Sequence, residues 1–479
     1  MKTKTIDRKH INIDVPVITR DFIEESFTRV SGATAVGGND VQILVDATEN
    51  YPEWIKAIES AEDYIFFESY IIHDDEQGNL FADLLIKKAR EGVDIKLIYD
   101  WMGGFGKTSR SYWKRLRKNG IEVRCFNPPK LLDPLGIFSR DHRKSIVVDG
   151  RVAFLSGLCV GQDWVGYPDR GVPPWRDTGV KILGPGVADV LAAFAEVWAT
   201  MGPPLDSSRL KNRSEIEPAG NLEIRIVQTE PALSHIFRMD QLLSAVARET
   251  WWITDAYFVG TPSYLQSLKD ASMDGVDVRI LVPQSTDIAV IRDTTRSTYR
   301  PLLEAGVRVF EWNGPMVHAK TEVFDGRFSR IGSTNLNIAS WFSNYELDVF
   351  IENDEFGQKV QEMFLNDLEN STEIILTSTN AKLKKPRRRP LNKRKGSGSV
   401  RKATAGALNA ATSISSAMRS KTHLGPAESR LLFMVSFLLL GWAVLLILFP
   451  RGASTPLVVI LLLLAIPTLI KAIQNYRNN

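Results

Sequence analysis

The chain has 479 residues, and its 24% charged and 44% hydrophobic content is that of a globular protein with room for two or three domains. Its two cysteines, Cys125 and Cys159, exclude a disulfide framework, form no zinc-binding pattern and favour a reducing compartment. The net charge of +3 is uneven, because residues 382–430 carry 14 basic residues and one acid, residues 431–479 add three basic residues, and residues 1–381 are left at −13. An acidic body argues against a general nucleic-acid-binding surface.

The first part of the chain alternates buried-looking apolar runs with a helical pattern and turn signals. In chain order the predicted strand, helix, turn into a strand, strand and glycine-terminated strand are Tyr64–Ile72, Leu80–Arg90, Glu91–Leu97, Gly120–Asn127 and Val147–Gly157.

The second part repeats this succession, with Asp274–Ile280 (DGVDVRI) echoing Glu91–Leu97 (EGVDIKL). The corresponding elements are Trp251–Val259, Ser263–Met273, Asp274–Ile280, Gly306–Asn313 and Val323–Gly332. Alternating strands and helices predict an α/β fold, here of two duplicated domains that face each other. Each domain is expected to have a mixed, mostly parallel sheet flanked by helices, with residues 1–217 in the first half and 218–378 in the second.

The C-terminal part differs in composition from both halves. Residues 379–430 are predicted to be a basic flexible linker, which suits contact with anionic lipid, although a soluble basic linker or an RNA-binding tail has the same composition. Residues 431–449 are uncharged and long enough to span a bilayer, and a second apolar run covers 456–470. We expect a transmembrane helical hairpin at 431–473. Because the positive charge precedes it, we expect the body on the cytoplasmic side of the cell membrane.

A polar motif is repeated within the two halves. The spacing H-x-K-x₄-D occurs twice, 176 residues apart, at His142, Lys144, Asp149 and at His318, Lys320, Asp325. Imidazole can attack phosphorus or donate a proton near neutral pH, and lysine can hold a phosphate oxygen as a point charge. Two copies in matching contexts predict one phosphate-transfer site that is built from two half-sites.

These residues resemble the phospholipase D superfamily, and within it the bacterial cardiolipin synthases. The resemblance covers about residues 40–375 and includes the segments SRDHRKSIVVDGRVAFLSG, PWRDTGVKILGP, VHAKTEVFDGRFSRIGSTNLN and SNYELDV. It implies two phospholipase D-like domains whose motifs meet at one site, a phosphohistidine intermediate, and no requirement for a metal or cofactor.

The resemblance also implies roles for the site residues. His142 is expected to be the nucleophile and His318 the general acid, with Lys144 and Lys320 on the phosphate oxygens. Acids from opposite halves are expected to orient the two rings, which pairs His142 with Glu346 and His318 with Asp177. Asp149 and Asp325 complete the motifs, and we expect them to act as structural partners within each half-site.

One position departs from the family pattern G-S-x-N. The second half contains it as Gly332 to Asn335, so that Ser333 and Asn335 are predicted to contact phosphate, but Cys159 replaces the expected asparagine in the first half. A small buried side chain is the commoner role of a lone cysteine. Nearby, Gly103–Thr108 lacks the first glycine of a P-loop and is predicted to be a loop that borders the site.

The expected function is phosphatidyl transfer between anionic glycerophospholipids, with phosphatidylglycerol as substrate and the bilayer as partner. Three alternatives stay open at this point: a phospholipase D-type hydrolase, a membrane-tethered nuclease of the same superfamily, and a lipid-binding scaffold without activity. The acidic body and the apolar tail disfavour nucleic acid as a partner.

Overall fold

The computed structural model describes residues 18–129, 139–231 and 233–376, together with Phe437, Leu440, Gly441, Val444 and Thr455. The strands within these ranges are β1 Val36–Val45, β2 Tyr64–Ser69, β3 Asp94–Asp100, β4 Glu122–Phe126, β5 Lys144–Val148, β6 Val152–Ser156, β7 Thr178–Leu183, β8 Leu222–Thr229, β9 Thr250–Thr254, β10 Asp277–Pro283, β11 Arg308–Trp312, β12 Thr321–Phe324, β13 Phe328–Gly332, β14 Glu346–Glu352 and β15 Ser371–Ile374. The helices are α1 Ile18–Ser31, α2 Asp46–Glu59, α3 Glu76–Arg90, α4 Trp101–Gly104, α5 Arg110–Lys118, α6 Gln162–Val165, α7 Val187–Thr200, α8 His235–Val246, α9 Pro262–Met273, α10 Ala289–Ser297, α11 Tyr299–Ala305, α12 Ile338–Phe342 and α13 Asp354–Glu369.

The described strands form one continuous sheet across both halves. Its order is β15-β11-β10-β9-β12-β13-β14-β8-β1-β7-β6-β5-β2-β3-β4. Strands β1 to β7 of the first half and β8 to β14 of the second follow the same order outward from the centre, which confirms the duplication. The halves join where β1 pairs antiparallel with β8, with Val36 opposite Ile224.

The prediction of mostly parallel sheets is wrong. Only the pairs within β2-β3-β4 and within β9-β10-β11 are parallel, and the other neighbours in the described sheet are antiparallel. The motif strands are hairpins, β5-β6 and β12-β13, which must be antiparallel. Their turns contain Asp149 and Asp325, each followed by glycine with positive φ, and this Asp-Gly signal was already present in the sequence.

Helices cover both faces of the sheet. α2, α3 and α5 pack on the first half, while α8, α9 and α11 pack on the second. α7 and α13 contribute to a core shared by both halves, including Phe194 and Phe364. α1 lies against the second half, where the Phe27 ring stacks on Phe328 at 5.7 Å. The shared core and the continuous sheet fix the two motifs relative to each other.

No helix in the described ranges is long and apolar enough to cross a bilayer. The predicted hairpin at 431–473 lies outside the described residues apart from the five single positions named above, which are helical. The predicted linker at 379–430 lies wholly outside them.

Candidate active site

Each motif histidine is attached through its backbone to the opposite half of the protein. The His142 N–H donates to the Tyr345 carbonyl at 2.9 Å, and the His318 N–H donates to the Arg176 carbonyl at 2.6 Å. Each of these carbonyls belongs to the residue just before an acid that was predicted to orient the bound histidine. The acids therefore reach across the boundary between the halves.

The expected cross-pairs are present in the structure. His142 Nδ1 lies 2.9 Å from Glu346 Oε2, and His318 Nδ1 lies 2.7 Å from Asp177 Oδ2. Both carboxylates are fully buried. Although burial raises the pKa of each acid, the paired histidine, a nearby lysine and hydrogen bonds together outweigh it, and both pKa values lie below the ordinary range. Carboxylates held in their charged form orient the rings through Nδ1, which assigns Nε2 to chemistry.

Both imidazoles are neutral near pH 7. Burial lowers the pKa of His142, and Glu346 only partly offsets it. Burial and then the charge of Lys320 lower the pKa of His318 to about 4, against the opposing effect of Asp177. A neutral ring is the form that can act as a nucleophile or a base.

Two buried lysines lie beside the histidines. Burial, with a smaller contribution from the charge of Lys144, lowers the pKa of Lys320 to about 8 against the attraction of Asp177. The charge of each lysine also lowers the pKa of the histidine in the opposite half, although this effect is smaller than those of burial and of the nearer side chains. Lys320 Nζ lies 3.0 Å and 3.1 Å from the two ring nitrogens of His318. Two like charges in a buried site favour binding of an anion.

The motif aspartates do not reach this site. Asp149 accepts the N–H groups of Glu62, Asp63 and Tyr64 at 2.8–2.9 Å. It follows the last residue of β5, about 16 Å along the strand from Lys144 at the usual rise per residue. It therefore holds the start of β2 and is not a reacting group.

Asp325 has the same position in the second half. Its carboxylate accepts the backbone N–H groups of Arg248, Glu249 and Thr250 at the start of β9, at 2.8–3.2 Å. Both motif aspartates therefore act as structural partners within their half-sites, as expected, and not as reacting groups.

The G-S-x-N segment of the second half lies against the site. Ser333 Oγ donates to Glu346 Oε2 at 2.6 Å, so that this hydroxyl fixes the acid that orients His142. Asn335 is buried, and its side-chain carbonyl has no hydrogen-bond partner among the described residues. Cys159 is buried in the first half, and burial raises the pKa of its thiol. A thiol that keeps its proton is a weak nucleophile.

Three aromatic contacts at the site were not predicted. The Tyr70 ring centroid lies 4.9 Å from that of His142, and the Tyr257 centroid lies 5.8 Å from that of His318. Trp164 Nε1 donates to Asp177 Oδ2 at 2.9 Å. No spacing in the sequence singles out these residues, because the contacts depend on loops from separate elements.

Comparison with known proteins agrees with this geometry. The family model described as "Cardiolipin synthase, PLD-like domain" matches residues 54–160 and 240–368. A cardiolipin synthase of Alkalihalophilus pseudofirmus is 32% identical over 346 residues, which cover 70% of this chain and 67% of that protein. A cardiolipin synthase of Listeria welshimeri is 31% identical over 356 residues, which cover 72% of each chain.

A solved structure shows the same fold. The phosphatidylserine synthase of Haemophilus influenzae superposes with a TM-score of 0.55 at 16% identity, covering 70% of this chain and 87% of that one. The matched relatives extend over both halves described above. The chain therefore belongs to the cardiolipin synthase family with phospholipase D-like domains.

Proposed function

We propose that the protein transfers a phosphatidyl group between anionic glycerophospholipids through a phosphohistidine intermediate. The observation that carries this proposal is the pair of cross-oriented imidazoles, His142 with Glu346 and His318 with Asp177, beside two buried lysines. The family's curated relatives are named cardiolipin synthases, which supports a phospholipid substrate. Phosphatidylglycerol is the proposed donor.

In the first step His142 Nε2 attacks the phosphorus and forms a P–N bond. The P–O bond to glycerol breaks, and glycerol leaves with a proton from His318. Lys144 and Lys320 stabilise the charge that develops on the non-bridging oxygens. Asn335 supplies an amide beside the same phosphate.

In the second step His318 accepts the proton of a primary hydroxyl on a second lipid. The alkoxide oxygen attacks phosphorus, the P–N bond breaks, and His142 is regenerated. Transfer, and not hydrolysis, requires that the lipid hydroxyl outcompete water at the phosphohistidine.

The pKa of each ring bears on which of them is the nucleophile and which the acid. Burial and then the charge of Lys320 lower the pKa of His318, the proposed proton donor, to about 4. A bound phosphodiester adds a negative charge beside both lysines, which raises the pKa of each ring. His318 can then carry the proton in the substrate complex. Isolation of the covalent intermediate tests this order of roles.

We further propose that residues 431–473 form a membrane hairpin, that the basic segment 379–430 contacts anionic lipid, and that the body faces the cytoplasm. The absence of charge in residues 431–449 and the excess of basic residues before them support this arrangement. Confinement in the membrane would raise the local concentration of lipid hydroxyl groups.

The test is incubation of the purified full chain with vesicles of pure phosphatidylglycerol, followed by mass analysis of the lipids. Cardiolipin and glycerol in equal amounts are expected. Phosphatidic acid as the sole new lipid would assign the protein as a hydrolase. Cleavage of an oligonucleotide without added metal, and no lipid product, would instead assign it as a nuclease.

A further inference from the structure

Three loops around the candidate active site expose large apolar side chains. Phe105 is the most open of them, with 66% of its surface exposed. Together these side chains form what we call the apolar rim, which consists of Met102, Phe105, Val172, Ile288 and Val290.

The first rim loop is directly connected to His142. Its helix α4 begins after Asp100, whose carboxylate accepts the Asp141 N–H at 3.0 Å. The Phe105 ring lies 5.0 Å from that of Trp101 on the same loop. Because Asp141 precedes the histidine, the loop carries Phe105 beside the entrance on the first half.

The other two rim loops are connected to His318. Tyr257, whose ring contacts His318, donates its hydroxyl to Asp287 at 2.8 Å, and Ile288 follows directly. The loop that exposes Val172 ends at Trp175, whose ring centroid lies 5.6 Å from that of His318. The rim thus approaches the site from both halves.

The topology places these loops at one edge of the sheet. β2 ends there, because its carboxyl end adjoins the start of motif strand β5, and β3 runs parallel to β2. β10 ends there because it runs parallel to β9, whose carboxyl end adjoins the start of motif strand β12. The opposite edge is formed by turns such as Asp149–Gly150 and Asp325–Gly326. Exposed basic side chains accompany two of the rim loops, Lys107 and Arg110 beside Phe105, and Arg170 beside Val172, where it lies 3.6 Å from the exposed Asp169.

We infer that the apolar rim docks the catalytic body on an anionic lipid bilayer, with Phe105 and Ile288 entering the headgroup region. The inference rests on the proposed function, since a lipid phosphodiester must enter from the membrane. Apolar side chains interleaved with basic ones bind the interface of anionic membranes. Docking at the rim would place the site entrance directly over the substrate and is separate from anchoring by the C-terminal segment.

The test uses an environment-sensitive dye on a single introduced cysteine. Phe105→Cys is made in the full chain that also carries Cys125→Ser and His142→Ala, so that no turnover occurs. Met273→Cys is the matched control, because Met273 is 56% exposed at the end of α9, away from the site edge. Dye quenching by spin-labelled lipid is measured after reconstitution in phosphatidylglycerol vesicles.

We expect quenching at position 105 to exceed that at position 273 by about fivefold, and to weaken in vesicles of phosphatidylcholine. Equal quenching at both positions would overturn the inference. Blue-shifted emission of the dye at position 105 in detergent, before any vesicle is added, would also overturn the inference. A shift that depends on protein concentration would mean that a second copy covers the rim. A shift that does not would mean that another segment of the chain covers it.

This readout separates the inference from the proposed function. Lipid quenching at position 105 in a protein whose active form makes no lipid product would refute the function and keep the docking surface. Cardiolipin formation without quenching at position 105 would do the reverse. In active protein, Phe105→Ser with Ile288→Ser should lower the ratio of activity on vesicles to activity on short-chain monomeric lipid by about tenfold.

Discussion

Each half-site presents a histidine, a lysine and an orienting acid, but several side chains behind them differ in character. Behind the first motif lie the buried apolar residues Ile146, Phe154 and Leu158. The corresponding positions of the second half, counted along the sequence from its motif histidine, are Glu322, Arg330 and Thr334, and all three are buried. At these three positions the first half therefore has apolar packing, whereas the second half has part of a buried charge network.

Arg330 is the centre of that network. Its guanidinium contacts Glu322 at 2.9 Å and Asp348 at 3.1 Å, and it donates to the Thr334 carbonyl at 3.1 Å. Nearby Asp240 lies 3.8 Å from Arg330 Nε, and burial together with the neighbouring Glu322 raises the pKa of its carboxyl well above the ordinary value. The network holds the turn that carries Ser333 and Asn335.

The acids are also held differently. Glu346 is fixed by the Ser333 hydroxyl, whereas the shorter Asp177 is fixed by the Trp164 indole. Gly157 occupies the position that corresponds to Ser333, and a Cβ there would overlap the Asp177 carboxylate. The smaller side chain therefore makes room for the acid in the first half. The two halves thus share the motif residues and the Asp-Gly turns, while the side chains that hold the orienting acids differ.

The substitutions with the greatest consequence for activity test whether the two motif histidines have different chemical roles. His142→Ala and His318→Ala should each lower turnover by at least about 1,000-fold, because either loss removes a partner of the in-line displacement. Acid-sensitive phosphohistidine should accumulate in the His318→Ala protein and be absent from the His142→Ala protein. Mass analysis of peptides from quenched reactions with phosphatidylglycerol measures this.

Phosphohistidine at His318 instead of His142 would exchange the two roles. Turnover near the normal rate in either variant would refute the mechanism. His235→Ala serves as the control, since His235 is a half-buried histidine that belongs to neither motif and bonds to the Gln228 backbone carbonyl.

The second prediction concerns how the side chains behind the two motifs contribute to stability. Arg330→Met should lower the free energy of unfolding by about 3–5 kcal/mol, because it leaves Glu322 and Asp348 buried without a counter-charge. Phe154→Met at the equivalent position of the first half should cost less than about 1.5 kcal/mol. Urea denaturation of the full chain in detergent measures both.

Transplanting the apolar set sharpens this result. The combination of Glu322→Ile, Arg330→Phe, Thr334→Leu and Asp348→Gly should recover most of the stability lost in Arg330→Met, since apolar replacement of a whole ion network is often neutral. If Arg330→Met and Phe154→Met lower the free energy of unfolding equally, then Glu322 and Asp348 do not depend on the charge of Arg330 as proposed.

A third effect tests how the acids are held. Gly157→Ala should lower kcat by about 100-fold, because the added methyl displaces Asp177 from His318. Ser333→Ala should lower it about tenfold, since one hydrogen bond to Glu346 is lost while the acid keeps its place. Steady-state rates on phosphatidylglycerol vesicles compare the two, and Ser333→Ala having the larger effect would contradict this account.

Much of the fold was predictable because the repeat preserves element order. The helix predicted at Leu80–Arg90 is the greater part of α3, and Ser263–Met273 is nearly all of α9. Strand direction was predicted wrongly as mostly parallel, since the Asp149–Gly150 turn was interpreted only as part of the motif. Nor was the continuous sheet, which depends on the pairing of β1 with β8 across residues distant in sequence.

The candidate site was likewise predictable only in part. The pairing of each histidine with an acid of the opposite half followed from motifs that the family resemblance supplied. The Arg330 network was missed, although Glu322 and Arg330 each stand inside an apolar strand where a buried charge needs a partner. Trp164 could not be found, because its contact with Asp177 depends on how a loop folds.

The smallest expected effect distinguishes the two lysines by pH. Burial lowers the pKa of Lys320 to about 8, so the free enzyme loses this positive charge as the pH rises through 8. Between pH 7 and pH 9, kcat/KM on short-chain phosphatidylglycerol should therefore fall by about tenfold. Lys320→Arg keeps its charge above pH 12 and should abolish this alkaline limb, although the different shape lowers the rate at pH 7. Lys144→Arg makes the same change of shape in the first half and should leave the limb near pH 8. If the limb persists in Lys320→Arg, another group is titrating, and the asymmetry between the halves does not extend to their cations.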